Sequence, residues 1–171
     1  MKNGIFTIRI VLKVIIILSI ILTQISCQKN EQKKGEGFWN GTQYEMELNQ
    51  VKKLFPNGVT PTNPGTLNNG ASILYMLNNY VYLGETFDVS FFFINEKLTQ
   101  ITLSLKSGFS KETGNNIFSK LKENITKNYG EETNSDDVLL MSNWILSDKT
   151  IRLAYLFADT SDRDIRIVFQ K

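Results

Sequence analysis

Two blocks of alternating apolar residues constrain this chain more than any other feature. In the first, Phe87, Val89, Phe91 and Phe93 fall at every second position, and Ile101, Leu103 and Leu105 repeat the pattern after Asn95-Glu96-Lys97. In the second, Ile151, Leu153, Tyr155 and Phe157 alternate, then Ile165, Ile167 and Phe169 beyond a turn at Asp159 to Arg163. A period of two puts such residues on one side of a pleated strand, so each block needs covering on one face only. More strand-like sequence precedes each block: Ile73 to Leu83, interrupted by Asn78-Asn79, and Met141 to Leu146, closed by Ser147-Asp148-Lys149. Each block reads as three antiparallel strands in a meander.

A helical period precedes each meander. Tyr44, Leu48, Val51 and Phe55 recur at helical spacing with Leu54 beside them, and Thr42-Gln43-Tyr44-Glu45 matches a capping box with Thr42 as N-cap. Pro56-Asn57-Gly58 stops that helix. The second helix is expected near Glu112 to Tyr129, with Phe118, Leu121, Ile125 and Tyr129 as its stripe and Gly130 after its end. Between the first helix and the sheet, residues 56–70 hold all three prolines, four asparagines and three glycines, which reads as a long loop, functional or a disordered insertion. The predicted class is α+β: tandem helix-plus-three-strand units, a pseudo-repeat over 38–107 and 108–171, with antiparallel sheet(s) and the helices packed on one face. The two sheets can join edge to edge into one of six strands.

The N-terminus reads as an address. Lys2, Arg9 and Lys13 precede or border the apolar run Val14 to Leu22, Ser26 follows, and the polar stretch Gln28 to Lys34 comes after Cys27. A basic start, a short apolar run and a small residue describe a secretory signal over residues 1–26. The run is about half the ~20 apolar residues of a membrane-spanning helix, which disfavours, without removing, an uncleaved anchor. Residues 27–37 then form a polar tether ending in Gly35-Glu36-Gly37, able to reach at most about 35 Å.

Ile25, Ser26 and the sole cysteine, Cys27, resemble a bacterial lipoprotein signal, with Gln24 in the −3 position where Leu is usual. The resemblance implies cleavage before Cys27 and its lipidation, a diacylglyceryl thioether plus an amide-linked chain; the alternative is an ordinary signal cut nearby with Cys27 incidental. One acyl chain anchors marginally, and two or three hold a protein on the membrane. Gln28 is not the Asp associated with inner-membrane retention, so in a Gram-negative cell the expected location is the outer membrane, facing the periplasm.

Composition narrows the chemistry. The leader removes three basic residues and no acidic ones, so the +2 formal charge of the full chain becomes −1 after cleavage. A near-neutral domain gives no electrostatic case for nucleic acid. With no histidine, and no free thiol once Cys27 is lipidated, Ser-His-Asp and Cys-His nucleophiles and His/Cys zinc sites are excluded. One cysteine allows no internal disulfide. The acidic runs Glu131-Glu132…Asp136-Asp137 and Asp159…Asp162…Asp164 lack the EF-hand spacing and read as solvated turns, so no metal and no cofactor are expected.

Short stretches of the domain resemble small bacterial envelope proteins of the BamE/SmpA-like and β-lactamase-inhibitor-protein-like fold group. They are Trp39 with Gly41-Thr42, Val51…Leu54-Phe55, the strand-turn-strand Phe91 to Leu98, and Lys127-Asn128-Tyr129-Gly130. Asn40 and Asn128 interrupt the group's helix-start and helix-end patterns. The resemblance implies a protein-binding role, as envelope-assembly accessory or enzyme inhibitor, and no shared catalytic residues.

The candidate site follows from strand parity. Phe92 and Ile94 lie opposite in parity to the core residues of their strand, as do Arg152 and Leu156, and Arg166 and Val168. If the helices cover one face, these six line the other. Arginine and aromatic residues are enriched at binding hot spots, so the face reads as a partner-binding surface, or as plain cross-strand packing. Trp39 and Trp144 read as packing residues. The expected protein is a membrane-anchored, non-enzymatic lipoprotein that binds another protein, the alternatives being an inhibitor or immunity-type protein and a small-molecule or lipid-binding domain with a pocket between sheet and helices.

Overall fold

A computed structural model describes residues 37–106, 109–157 and 163–171, without the side chains of Lys106 and Phe157. The signal, Cys27 and the tether up to residue 36 lie outside the described residues, as do Asp159 and Asp162 of the second acidic run. Along the chain come helix α1 (Leu48–Leu54), strands β1 (Ser72–Tyr82), β2 (Glu85–Ile94) and β3 (Lys97–Lys106), helix α2 (Lys111–Tyr129), and strands β4 (Asn134–Asp136), β5 (Met141–Ile145), β6 (Thr150–Phe157) and β7 (Arg163–Gln170). The strands form one antiparallel sheet in the order β1-β2-β3-β7-β6-β5-β4. It has seven strands, not six: β4 is a three-residue edge strand of exposed side chains that the apolar pattern does not announce.

The register explains the core. One row crosses the sheet as Tyr75–Phe91–Ile101–Phe169–Ile151–Trp144, and the next as Leu77–Val89–Leu103–Ile167–Leu153–Ser142. Every member of both rows is buried. Val51 of α1 and Ile117, Phe118, Leu121 and Ile125 of α2 join the same apolar cluster. The alternation read from the sequence is therefore the inner face of the sheet.

Two tight turns set this register. Leu83-Gly84 joins β1 to β2 with φ of 52° and 83°, and Asn95-Glu96 joins β2 to β3 with 50° and 61°. Both positions in the left-handed region give type I′ turns, whose twist matches that of paired strands. Lys120 of α2 donates to the Leu83 carbonyl at 2.5 Å, tying the helix to the first turn.

The first helix departs from expectation. It starts at Leu48, not after Thr42. The Glu45 N–H donates to the Leu98 carbonyl, Glu45 itself has φ of 61°, and Leu98 returns a bond to Met46. Pairing with the start of β3 thus outcompetes the local capping pattern. Thr42 instead accepts the Trp39 N–H at 3.0 Å and donates to the Trp39 carbonyl, closing a loop that sends Phe38 and Trp39 into the core. The capping role falls to Gln50, whose Oε1 accepts the Glu47 N–H at 3.0 Å. The second helix falls where the sequence reading puts it, with Gly130 after its last turn at φ of 91°, and Ser110, which that reading did not single out, caps it by accepting the Thr113 N–H at 3.1 Å.

Residues 56–70 follow the outer edge of β1. Val59 exchanges backbone bonds with Met76, and Thr66 bridges Ser72. Further along, β1 bulges between Leu77 and Tyr80, with Asn79 at φ of 56°.

Candidate functional site

The face opposite the core rows is largely a lattice of short polar side chains. Ser90, Thr102, Val168, Arg152 and Asn143 follow one another across β2, β3, β7, β6 and β5. The six residues selected by parity do share this face, but the structure divides them. Arg152 stands directly opposite Val168, Arg166 opposite Ala154, and Leu156 opposite Asp164. Phe92 and Ile94 sit on β2, separated from β6 by β3 and β7.

Phe92 is buried at 7% exposure, with Ile73 and Gln100 as its cross-strand neighbours. It packs rather than presents a ring to a partner. Ile94 is exposed and pairs with Lys97 at the hairpin turn. The four residues that remain together are Arg152, Leu156, Arg166 and Val168, on two adjacent strands.

Hydrogen bonds fix both arginines. Arg152 donates from Nε to Asn143 Oδ1 at 2.9 Å, and Asn143 donates in turn to Asn134 at 2.8 Å, so a polar chain runs from β6 through β5 to β4. Arg166 donates from Nε to Asp164 Oδ2 at 2.5 Å, and its Nη2 lies at the same distance from that oxygen. Such bonds stabilise little at an exposed site but hold the guanidinium planes in place.

Next to the arginines lies an apolar element that parity alone did not reveal. Met141 pairs with Ala154 and the Tyr155 N–H donates to the Leu140 carbonyl, so the β4–β5 turn that carries Leu139 leaves the sheet next to β6, on which Leu156 lies. Leu139 is 56% exposed and Leu156 41%. The signal available in the sequence was Val138-Leu139-Leu140 itself, an apolar run directly after two aspartates. The candidate site is thus a patch over β5–β7 with exposed Leu156 and two oriented arginines, and exposed Leu139 lies in the adjoining β4–β5 turn.

Other polar groups serve the fold. Lys122 and Glu132 pair at 2.7 Å. Burial works against the Glu132 charge, but hydrogen bonding and the charge of Lys122 prevail and hold its carboxyl below the usual range. Ser142 beside them in the fold is 1% exposed. Trp144 is fully buried and donates to the Gly130 carbonyl at 3.0 Å; Trp39 stacks on Phe55 with centroids 5.8 Å apart. Both tryptophans are packing residues.

Among the described residues no group of acidic or cysteine side chains is arranged to hold a metal ion, and no helix is long and apolar enough to cross a membrane. Comparisons with protein families, with curated proteins and with solved structures return no match for the chain.

Proposed function

We propose that this chain is a lipid-anchored, extracytoplasmic lipoprotein whose domain binds another protein through the β5–β7 patch, without enzymatic activity or cofactor. The observation that carries the binding role is exposed Leu156 beside the hydrogen-bonded Arg152 and Arg166 on two adjacent strands. Arginine is enriched at interface hot spots, the exposed leucine beside it adds apolar area to bury, and a sheet surface loses little entropy on docking. The anchor rests on Cys27 after its apolar leader, and the same reading puts the protein on the outer membrane, facing the periplasm, in a Gram-negative cell.

The strand order supports the finer reading of two helix-plus-three-strand units. The meanders β1-β2-β3 and β5-β6-β7 meet through their third strands, β3 and β7, which is the junction two similar units would make. That arrangement fits the resemblance to the BamE/SmpA-like and β-lactamase-inhibitor-protein-like group, whose members bind proteins. An inhibitor or immunity-type role uses the same patch. It differs in predicting one tight one-to-one complex with a single enzyme rather than membership of a membrane assembly.

Two measurements test the proposal. Metabolic palmitate labelling must be present in the parent and lost in Cys27→Ser. A partner crosslinked and purified with the parent chain must bind Arg152→Ala/Leu156→Ala/Arg166→Ala at least tenfold more weakly, with unchanged melting temperature. Unaltered affinity would remove the patch from the proposal.

A further inference from the structure

Four Asn-Gly steps occur in the chain: Asn3-Gly4, Asn40-Gly41, Asn57-Gly58 and Asn69-Gly70. The first lies outside the described residues. The other three stand at exposed asparagines in tight turns. Such a step carries its own chemistry. The backbone nitrogen of the glycine can attack Cγ of the asparagine, and the glycine has no Cβ to hinder it. A bond forms between that nitrogen and Cγ, the Cγ–Nδ2 bond breaks, and the proton from the backbone nitrogen leaves with Nδ2 as ammonia. Water then opens the five-membered imide at either carbonyl, leaving an aspartyl or an isoaspartyl linkage, with no change of oxidation state.

The three turns differ in phase. The Gly58 N–H donates to the Phe55 carbonyl at 3.1 Å, so glycine is the fourth residue of that turn and its nitrogen closes it. A Cβ at Gly58 would lie 2.4 Å from the Tyr75 ring, which is buried and tied to the same Phe55 carbonyl at 2.7 Å, so this backbone has little room to move. The Gly70 N–H likewise donates to the Leu67 carbonyl at 2.9 Å, and Asn69 Oδ1 accepts the Ala71 N–H at 3.0 Å, which fixes the side chain as well. In the turn from Trp39 to Thr42 the phase is shifted by one residue. The Thr42 N–H closes it on the Trp39 carbonyl at 2.9 Å, and Asn40 and Gly41 are its central residues, with φ of 44° and 84°, as a type I′ turn requires. Gly41 is thus the third residue, and its N–H donates to no acceptor among the described residues. Asn40 Nδ2 reaches the Tyr80 hydroxyl at 3.3 Å, an exposed bond beyond the usual length that restrains Cγ little.

We infer that Asn40 is the site at which the folded domain deamidates, ahead of Asn57 and Asn69. The Gly41 nitrogen needs no hydrogen bond broken before it attacks, whereas Gly58 and Gly70 must first open their turns. The product matters to the fold. An isoaspartyl linkage lengthens the main chain inside a loop closed by the Phe38 N–H on the Thr42 carbonyl at 2.7 Å and the Trp39 N–H on Thr42 Oγ1 at 3.0 Å. That loop sends Phe38 and Trp39 into the core, so ageing at one exposed amide loosens the domain at its N-terminal end.

The test ages the full chain in mildly alkaline buffer at body temperature and follows each step by peptide mapping with mass spectrometry. In the folded chain, acid is expected to form at position 40 at least about fivefold faster than at 57 or 69. In the same chain held unfolded in guanidinium chloride, the three rates should converge to within about twofold, which ties the difference to the turns. The isoaspartyl fraction, separated by anion exchange, should exchange its Phe38 and Thr42 amides faster than the unaged chain, with those of β3 unchanged. Equal rates in the folded chain, a faster rate at Asn57 or Asn69, a difference that persists on unfolding, or Phe38 and Thr42 amides exchanging as in the unaged chain would overturn the inference.

Discussion

Gly114→Ala separates helix propensity from packing in this fold. Gly114 lies in the first turn of α2 and makes its first helical bond, donating to Ser110 at 2.9 Å. On propensity, alanine stabilises a helix over glycine by up to about 1 kcal/mol. The structure opposes this. A Cβ at Gly114 would lie 2.2 Å from Tyr155 Oη and 2.3 Å from Cζ, against 3.4–4 Å for ordinary contact. Tyr155 cannot swing aside, being 1% exposed in the middle of β6 with the Phe109 ring 6.0 Å away. Ring, helix or both must shift by more than an ångström. Overpacking of this kind costs about 1–3 kcal/mol, occasionally more.

With the full propensity gain set against it, the packing cost leaves a net loss of up to about 2 kcal/mol, or a fall in Tm of up to roughly 8 °C for a domain of this size. Thermal and urea unfolding followed by circular dichroism measure it directly. Tyr155→Leu in the same background supplies the control, since the shorter side chain vacates the space the Cβ needs. There Gly114→Ala should turn neutral or favourable, giving a coupling energy of at least about 1 kcal/mol between the two sites. A Gly114→Ala protein more stable than the parent by the propensity increment would refute the packing argument, and so would the absence of coupling.

Three further outcomes follow from polar groups. Lys149 has a fully buried side chain that donates to the Gly37 carbonyl and lies 5.1 Å from the Tyr129 ring centre; Lys149→Met should cost about 1–3 kcal/mol and, in hydrogen exchange, expose the Phe38 and Thr42 amides before those of β3. Tyr82 donates to Asn124 at 2.7 Å, and burial, reinforced by Tyr129 and Tyr80, pushes its hydroxyl up to about 12. A raised value means stability that is complete below the unfolded value near 10 and fades as pH climbs toward about 12, so urea unfolding should show an alkaline loss that is smaller in Tyr82→Phe. The depressed Glu132 carboxyl has the opposite sign: its contribution is present above the ordinary glutamate value of 4.5 and disappears as pH falls through the folded value, so Glu132→Gln should flatten the acid limb of the stability curve. An acid limb of unchanged slope would place the dependence on another carboxylate.

The parts of this fold legible in the sequence are those where a local rule and the tertiary structure agree. Phe87 to Phe93, Ile151 to Tyr155 and Ile165 to Phe169 alternate because one face of each strand is core, and that face is where the register puts them. Asn95-Glu96 and the α2 stripe with Gly130 are similarly consistent. The misread elements are those where distant residues decide. Thr42 to Glu45 satisfies a capping pattern, but the Glu45 N–H has a better use in pairing with Leu98, more than fifty residues along the chain. Asn134 to Asp136 has no apolar alternation to detect, because an exposed edge strand buries no side chain.

The candidate site shows the same division at finer scale. Parity identified the face correctly for Arg152, Leu156, Arg166 and Val168, since facing is a local property of an alternating strand. It could not tell that Phe92, with the same parity, is buried, because its exposure depends on Ile73 and Gln100 from two other strands. Nor could it find Leu139, which is exposed in the β4–β5 turn and belongs to no alternating strand. Strand parity says which way a side chain points; only strand order says what it meets there. That distinction takes Phe92 and Ile94 out of the proposed patch and leaves it on β5–β7, so Phe92→Ala tests stability while Arg152→Ala and Leu156→Ala test the proposed recognition.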